Sequence, residues 1–517
     1  MRFAKQKGLC LRSKIKEDIE QSENKGAYVY NPKPGLYENL YMVDFSKQYP
    51  STMRTLNIGP NTLYATLENE DQIKDLFSEN KNVKYNVIFN PLYNPIKRIL
   101  TYDEIKFMMD KEELMVSCIG SFYYKQSKLK SILYEPIQFF GDERNKFKAL
   151  LKKDKTNITL KNQERGVKEL NNAGYGYLAT PGSRINHPKL VNSITLTTQK
   201  INKFCAIIFS HMLSNNKHTL TQEEIKQLFI DKLINQYWDS VVDEPFIIYG
   251  DTDSIYPHIN DKKYNSWEEA KERGEEIRKC IVDEVINKFL PKTFNIDNKE
   301  VVLSLGYQGI GYAYFTSVKK KYLVNYLDGD HKGLVVKGFE TRRSNVPELT
   351  REFLMNVFKM LIIDFKTEDE IRNYIDQCRI ILKDKISKFD KSIGAHISYS
   401  KDLDEYKKIP SHVIAMEFWN LTQYKIFAQG SKAYKFDVKY YINKMDEKDK
   451  NALDTLKKKY NLKSDLKIYV IPDDYKGEIP KYIVPDEKHT MGVIWDNIIE
   501  GLFPSKEEKR MTLDDFI

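Results

Sequence analysis

Residues Pro245–Ile259 read PFIIYGDTDSIYPHI. A short apolar run, Phe246–Tyr249, stops at a glycine, the turn DTDS follows, and IYPHI returns. Apolar runs of this length bounded by turn residues read as buried strands, so the segment predicts a β-hairpin with carboxylates at its tip. An i, i+2 pair at a strand end can aim Asp251 and Asp253 to the same side. Two like charges so close call for a cation. A bare DxD is ordinarily a solvated Asx turn; here the apolar run delivers the pair to the end of a sheet.

Outward from this hairpin, Asp44 closes a second apolar and aromatic strand, NLYMVD, and is followed by FSKQYPS. Three carboxylates on adjacent strand ends could hold two Mg²⁺ ions about 3.5 to 4 Å apart, an arrangement that activates an attacking hydroxyl and stabilises a leaving pyrophosphate. Such chemistry needs a triphosphate site. Residues 137–153 (IQFFGDERNKFKALLKK) and 161–178 (KNQERGVKELNNAGYGYL) have helical spacing with a polar turn between them, which predicts a helical hairpin. Arg144 and Lys148 are i, i+4 on its first helix, and Lys168, Asn172 and Tyr175 are i, i+4, i+7 on its second, so each set lines one face. Alone, such stripes are ordinary solvated faces; opposite a metal site they fit a triphosphate.

The remaining texture is coarser. Residues 26–60 read as a strand-turn-strand entry, 189–236 as helical, 300–340 as β-rich and 348–460 as largely helical, with a mixed tail. A chain of 517 residues exceeds one typical domain. Its 41% apolar content supports real cores, which excludes disorder as the main state. Uncharged apolar stretches fall far short of the ~20 residues of a spanning helix, and no apolar region follows the basic N-terminus, so a cytoplasmic protein is expected. The five cysteines (Cys10, Cys118, Cys205, Cys280, Cys378) form no CxxC pair, and the eight histidines form no HExxH frame. The net charge of +9 makes the surface a mild attractor of polyanions without singling out nucleic acid.

Four strings, YMVDFSKQYPS, KELNNAGYG, YGDTDS and VKKKY, occur in this order and resemble the signatures of the family B DNA polymerases, DxxSLYPS, KxxxNSxYG, YGDTDS and KKxY. GAYVYNPKPGLY before Asp44 and VKGFETRRS, similar to KGxExxRR, extend the resemblance over about residues 26 to 345. It implies an α+β right-hand architecture: a β-sheet palm, short helical-hairpin fingers and a mainly helical thumb. The expected boundaries are 1–130 for the N-terminal part of the palm with an insertion, 131–180 for the fingers, 181–343 for the rest of the palm, 344–505 for the thumb and 506–517 for a tail.

The same resemblance implies the residue roles. Asp44 and Asp253 become the main ligands of both metals with Asp251 as third carboxylate, and Phe45 lends its backbone carbonyl. Tyr49 becomes the sugar gate that blocks a ribose 2′-OH. Arg144, Lys148 and Lys168 grip the triphosphate, supported by Asn172, while Tyr175 and Gly176 pack against the nascent base pair. Lys319, Lys320, Lys321 and Tyr322, with Arg342 and Arg343, hold the primer-template duplex. Lys47 and Gln48 stand where the family has Ser-Leu, and Ala173 and Gly174 replace Ser-x.

Several strings imitate motifs without their context. A second KKKY, Lys457–Tyr460, follows a helix-like charged segment and reads as a helix end; GYQGIG at Gly306–Gly311 is not a nucleotide-binding loop. Asp18 and Glu20 imitate an exonuclease DxE but lie too close to Asp44, so no exonuclease region is expected ahead of the palm. LNIGPNT and the acidic-aromatic C-terminus look most like bacteriophage replicative members. The terminal MTLDDFI, with Leu513 and Phe516 as anchors, resembles peptides that engage a sliding clamp. The expectation is a Mg²⁺-dependent, template-directed DNA polymerase using dNTPs and primer-template DNA. It is read as the polymerase subunit of a split phage replicase with a separate exonuclease chain. The alternatives are an exonuclease-free repair or bypass polymerase and a catalytically inactive DNA-binding subunit, the latter opposed by the intact aspartates.

Overall fold

The computed structural model describes residues 26–154, 156–329, 331–339, 346–399, 401, 405–423, 427, 430–500 and 502. Arg342, Arg343, Leu513, Phe516, Asp18 and Glu20 lie outside these residues, as does the whole clamp-like tail. Among the described residues no helix is long and apolar enough to cross a membrane.

The chain divides into two compact units, residues 1–33, 37–311 and 326–332 in the first and 34–36, 312–325 and 333–517 in the second. In the first, strand β1 (Gly35–Phe45) leads directly into helix α1 (Gln48–Thr55). Residues 26–60 therefore form one long strand and a helix, where a strand-turn-strand was expected. The helix was hidden because QYPSTMRT buries polar residues such as Gln48, Thr52 and Thr55, which leaves no apolar stripe to read.

A separate five-stranded antiparallel sheet follows. It consists of β2 (Leu63–Leu67), β3 (Tyr85–Phe89), β4 (Ile96–Leu100), β5 (Leu114–Val116) and β6 (Ser121–Tyr124), in the order β4-β3-β2-β6-β5. Helix α2 (Tyr102–Lys111) joins β4 to β5 and begins with a capping box, Thr101 with Glu104. Next come the hairpin helices α3 (Tyr134–Lys153) and α4 (Ile158–Ala179), as the spacing predicts, with Asn157 capping α4. Both pack against α1.

Helix α5 (Pro188–Ser214) opens with Pro at its first turn and is buried over most of its length. It backs the hairpin strands β7 (Ile247–Tyr249) and β8 (Ser254–Pro257). After helix α6 (Trp267–Cys280) comes β9 (Leu305–Phe315), and neighbouring strands run β9-β1-β8-β7. The central strands are buried on both faces, Leu40–Val43 in β1 and all of β8, which explains why their sequences are runs of apolar residues instead of alternating ones. GYQGIG lies within β9 and is strand, not a phosphate loop.

The division between units passes through β9 and β10 (Tyr322–Gly329). The second unit continues with β11 (Gly333–Lys337), α7 (Glu348–Ile362), α8 (Glu368–Ser387), β12 (Ala395–Ser398), α9 (Ser411–Thr422), β13 (Lys432–Tyr440), α10 (Glu447–Tyr460), β14 (Ile468–Pro472) and β15 (Ile483–Pro485). Strands β12, β13 and β14 pair antiparallel, and β15 also pairs with β13. Residues 348–460 are largely helical, as expected, with the short strand β12 and the strand β13 set among the helices. Phe358, Leu382, Phe418, Trp419, Val470 and Trp495 belong to the core between the helices and sheet of this unit. The second KKKY ends α10, where Lys457 pairs with Asp465 and Lys459 with Glu417, as a helix end predicts.

Candidate active site

The β1–β8 ladder sets the site. Asp44 lies opposite Ser254 and Val43 opposite Ile255. One residue on, the Phe45 amide donates to the Asp253 carbonyl at 2.8 Å. The DTDS turn is held by its own backbone and hydroxyls: the Asp253 and Ser254 amides donate to the Asp251 carbonyl at 2.7 and 3.1 Å, and the Asp251 amide donates to Ser254 Oγ at 3.2 Å. Thr252 takes a left-handed φ of 59°, an unfavourable conformation for a β-branched residue that the surrounding bonds hold in place. Its amide donates to the Tyr28 carbonyl at 2.9 Å. From behind, Asn202 of α5 donates to the Ser254 carbonyl at 3.4 Å and accepts from the Tyr30 hydroxyl at 2.7 Å.

This geometry brings the carboxyls of Asp44 and Asp253 into a shared hydrogen bond. Burial and the neighbouring Asp253 push the Asp44 carboxyl up to about 8, against which Lys148 and Lys168 pull it down. Asp253 is also raised, by burial first and by the charge of Asp251. Asp251 sits at the turn's entry, where its Oδ1 accepts from the Thr252 hydroxyl at 3.0 Å. Among the described residues no three His, Cys, Asp or Glu side chains converge as a ready ligand set. Two of the expected carboxylates meet, and the third stands beside them.

The helical hairpin supplies the positive side. Lys148 and Lys168 are the cations acting on Asp44, one from each helix. Arg144 is engaged across the hairpin by Glu164 at 2.7 Å. Glu164 was not singled out from sequence, although it lies one turn before Lys168 and so shares its face. Tyr49, in the first turn of α1, meets Tyr175 of α4 with ring centroids 4.6 Å apart. Its hydroxyl is pushed up to about 12 by burial, Tyr175 and the nearby Asp253 and Asp251. Asn172 and Gly176 are exposed on α4, and no atom lies within 4 Å of a Cβ built at Gly176. The neighbouring Asn171 is buried, with its Oδ1 unpaired.

Lys319, Lys320 and Lys321 are exposed in the turn between β9 and β10, in the second unit. Thr316 shapes that turn, its hydroxyl donating to the Lys321 carbonyl at 3.0 Å, while Phe315 and Tyr322 stack at 5.1 Å. Gly338, from VKGFE, has φ 73° and lies so close to the Lys320 carbonyl that a Cβ would come to 2.0 Å. Two strings separated in sequence thus meet, with glycine demanded by both φ and space.

A family model described as DNA polymerase family B matches residues 1–470. DNA polymerase 1 of Sulfolobus acidocaldarius is 22% identical over 412 residues, which is 77% of this chain and 35% of that protein. DNA polymerase II of Escherichia coli is 21% identical over 407 residues, 75% of this chain and 41% of that protein. The chain thus spans little more than a third of the first of these relatives and about two fifths of the second. The family B DNA polymerase of Pyrobaculum calidifontis aligns in three dimensions with 99% of this chain and 50% of its own, at a TM-score of 0.49 and 19% identity.

Proposed function

This chain belongs to DNA polymerase family B, and from that premise we propose that it is a template-directed DNA polymerase that transfers nucleotides from dNTPs to a primer 3′ end. The observation that carries the proposal is the half-buried Asp44–Asp253 pair facing Lys148 and Lys168. Carboxylates forced together opposite cations on a separate element are what a metal-bound triphosphate requires.

Mg²⁺ fits the donor set, because hard oxygen ligands share a half-buried space where their own charges repel. Asp44, Asp253 and the Phe45 carbonyl would hold the ions, with Asp251 alongside. When bound, the ions favour the attacking hydroxylate and stabilise the leaving pyrophosphate. The chain's own residues do the rest. Lys148 and Lys168 hold the triphosphate against the carboxylates, and Arg144 joins them by exchanging Glu164 for phosphate. Tyr49 supports the sugar and excludes a 2′-OH, while Tyr175 and Gly176 leave a flat, open surface for the base pair. Lys319–Tyr322 with Arg342 and Arg343 hold the duplex by its backbone, a sequence-independent contact. In this reading the hairpin α3–α4 is the fingers, the β9-β1-β8-β7 sheet is palm, and the helices and sheet from Glu348 onward are thumb.

The finer reading is a polymerase subunit of a phage replicase that works with a separate exonuclease chain and a sliding clamp. It is supported by LNIGPNT and by the Leu513/Phe516 terminus, and residues 511–517 would act as a tether that raises effective concentration at the primer end. Their deletion is expected to spare distributive synthesis and remove only clamp-dependent processivity.

Primer extension by the purified chain with dNTPs and Mg²⁺ tests the main proposal. Extension that disappears in Asp253→Asn while duplex binding persists supports it. No extension by the wild-type chain on any primer-template, or equal extension by Asp253→Asn, overturns it.

A further inference from the structure

Lys47 precedes α1 in a left-handed conformation, φ 53° and ψ 49°, and its side chain does not cap that helix. It reaches α3 instead. Its Nζ donates to the Gly141 carbonyl at 2.7 Å and to Asn145 Oδ1 at 3.0 Å. On an α-helix, residues 141, 145 and 148 are i, i+4 and i+7 and share one face, with Arg144 beside it at i+3. The face that Lys47 grips is therefore the face that presents Lys148 toward Asp44. Lys47 itself is only three residues from Asp44 along the chain, so one side chain links the carboxylate strand end to the cationic helix.

We propose that Lys47 is a positioning residue, a strut that fixes the rotation and approach of α3 so that Lys148 and Arg144 stand ready over the carboxylates. The inference rests on the reading of those cations as triphosphate ligands. Two of the three ammonium hydrogens of Lys47 are committed to α3, which leaves it poorly placed to be a phosphate ligand as well. Arg144 and Lys148 are also close enough to repel its charge. Arg144 and Lys148 on α3 and Lys47 from the turn before α1 are like charges that repel, and the two hydrogen bonds of Lys47 hold this face of α3 against that repulsion. The strut supplies the hold before a nucleotide arrives. Its removal lowers the fraction of molecules ready to bind, and the apparent dissociation constant, which is the intrinsic one divided by that fraction, rises without any change in the bound state.

The test compares Lys47→Met, Asn145→Ala, their double variant and Lys47→Arg in primer extension at varied dNTP, together with hydrogen exchange of α3 in the nucleotide-free chain. Lys47→Met is expected to raise the dNTP KM by about 10-fold while kcat stays within about twofold, as a population effect requires. Asn145→Ala shifts KM in the same direction by less, the double variant is no worse than Lys47→Met, and Lys47→Arg recovers part of the loss. Amides of residues 141–148 exchange faster in Lys47→Met. A fall in kcat at unchanged KM, or additive effects at positions 47 and 145, overturns the proposal in favour of direct contact with the reacting groups. Unchanged exchange in α3 overturns it without reference to activity. Failure of the polymerase reading shows separately, as absence of extension by the wild-type chain, and if Lys47→Met does not fold, Asn145→Ala carries the same comparison.

Discussion

The Phe45 amide donates to the Asp253 carbonyl at 2.8 Å, which locks two strand ends at the level where the Asp44 and Asp253 carboxyls come within hydrogen-bond reach of each other. Asp251, two residues before Asp253, is turned so that its Oδ1 accepts from Thr252. The aspartates of YGDTDS are therefore unequal, and the structural partner of Asp253 is Asp44.

Asparagine substitutions should grade accordingly. Asp44→Asn and Asp253→Asn are expected to lower kcat on the order of 10³-fold or more, the scale of losing a preorganised electrostatic group, and Asp251→Asn distinctly less. Single-turnover extension rates measure this, and equal losses at all three positions would refute the pairing.

Tyr49 and Tyr175 support one another, with rings 4.6 Å apart. Tyr49→Ala should lower discrimination against ribonucleotides by ~10 to 100-fold, the range for one lost pocket contact, and should also weaken dNTP binding because Tyr175 loses its backing. Incorporation ratios for matched rNTP and dNTP decide, and an unchanged ratio removes Tyr49 from the sugar site.

Among the cations, Lys168→Ala should cost of order 10²-fold in kcat/KM as a lost donor to developing charge. Glu164→Gln should act in the opposite sense and lower the dNTP KM a few-fold, since Glu164 pairs with Arg144 and on the proposed function would compete with phosphate for it. A raised KM in Glu164→Gln shows instead that the ion pair holds the hairpin together.

Asn57, from LNIGPNT, is fully buried and donates to the Tyr124 and Leu129 carbonyls at 2.8 and 2.7 Å while accepting from the Ser131 amide at 2.8 Å. Asn57→Ala leaves these groups unpaired and should cost ~2 to 4 kcal/mol, several lost hydrogen bonds at about 1 kcal/mol each plus desolvation. The shift in urea midpoint measures it, and a change under ~1 kcal/mol refutes the role of Asn57 as the pin of the loop entering α3.

His258 gives a pH dependence. Burial lowers its pKa to about 4, and it packs edge-on against Tyr37 at 5.3 Å. The folded value lies below the unfolded one, so between about 6.5 and about 4 the unfolded chain binds more protons. Stability should therefore fall as pH drops through that window, and His258→Phe should flatten that part of the profile. Parallel wild-type and variant profiles of urea midpoint between pH 7 and 4.5 would count against it.

Sequence alone determined the elements with strong local signals. The DTDS hairpin was legible because an apolar run meets turn residues, and the hairpin α3–α4 because its helical spacing is uninterrupted. The order of the four strings pointed to the family with no structure at all. Other elements were invisible for physical reasons: α1 buries polar side chains instead of an apolar stripe, and the sheet β12-β13-β14 places its strands among long helices, where pairing is non-local. Of the five strands between Leu63 and Tyr124, LYATL and YNVIF approach alternation and could have been read, whereas IKRIL, LMV and SFYY carry no such pattern. What only the tertiary structure decided is which groups meet: Asp44 with Asp253, Arg144 with Glu164, Lys47 with Gly141 and Asn145. Local sequence fixes the direction of a chain and the face of a helix, but the partner across a ladder or between packed helices depends on register, and register is set by the whole core.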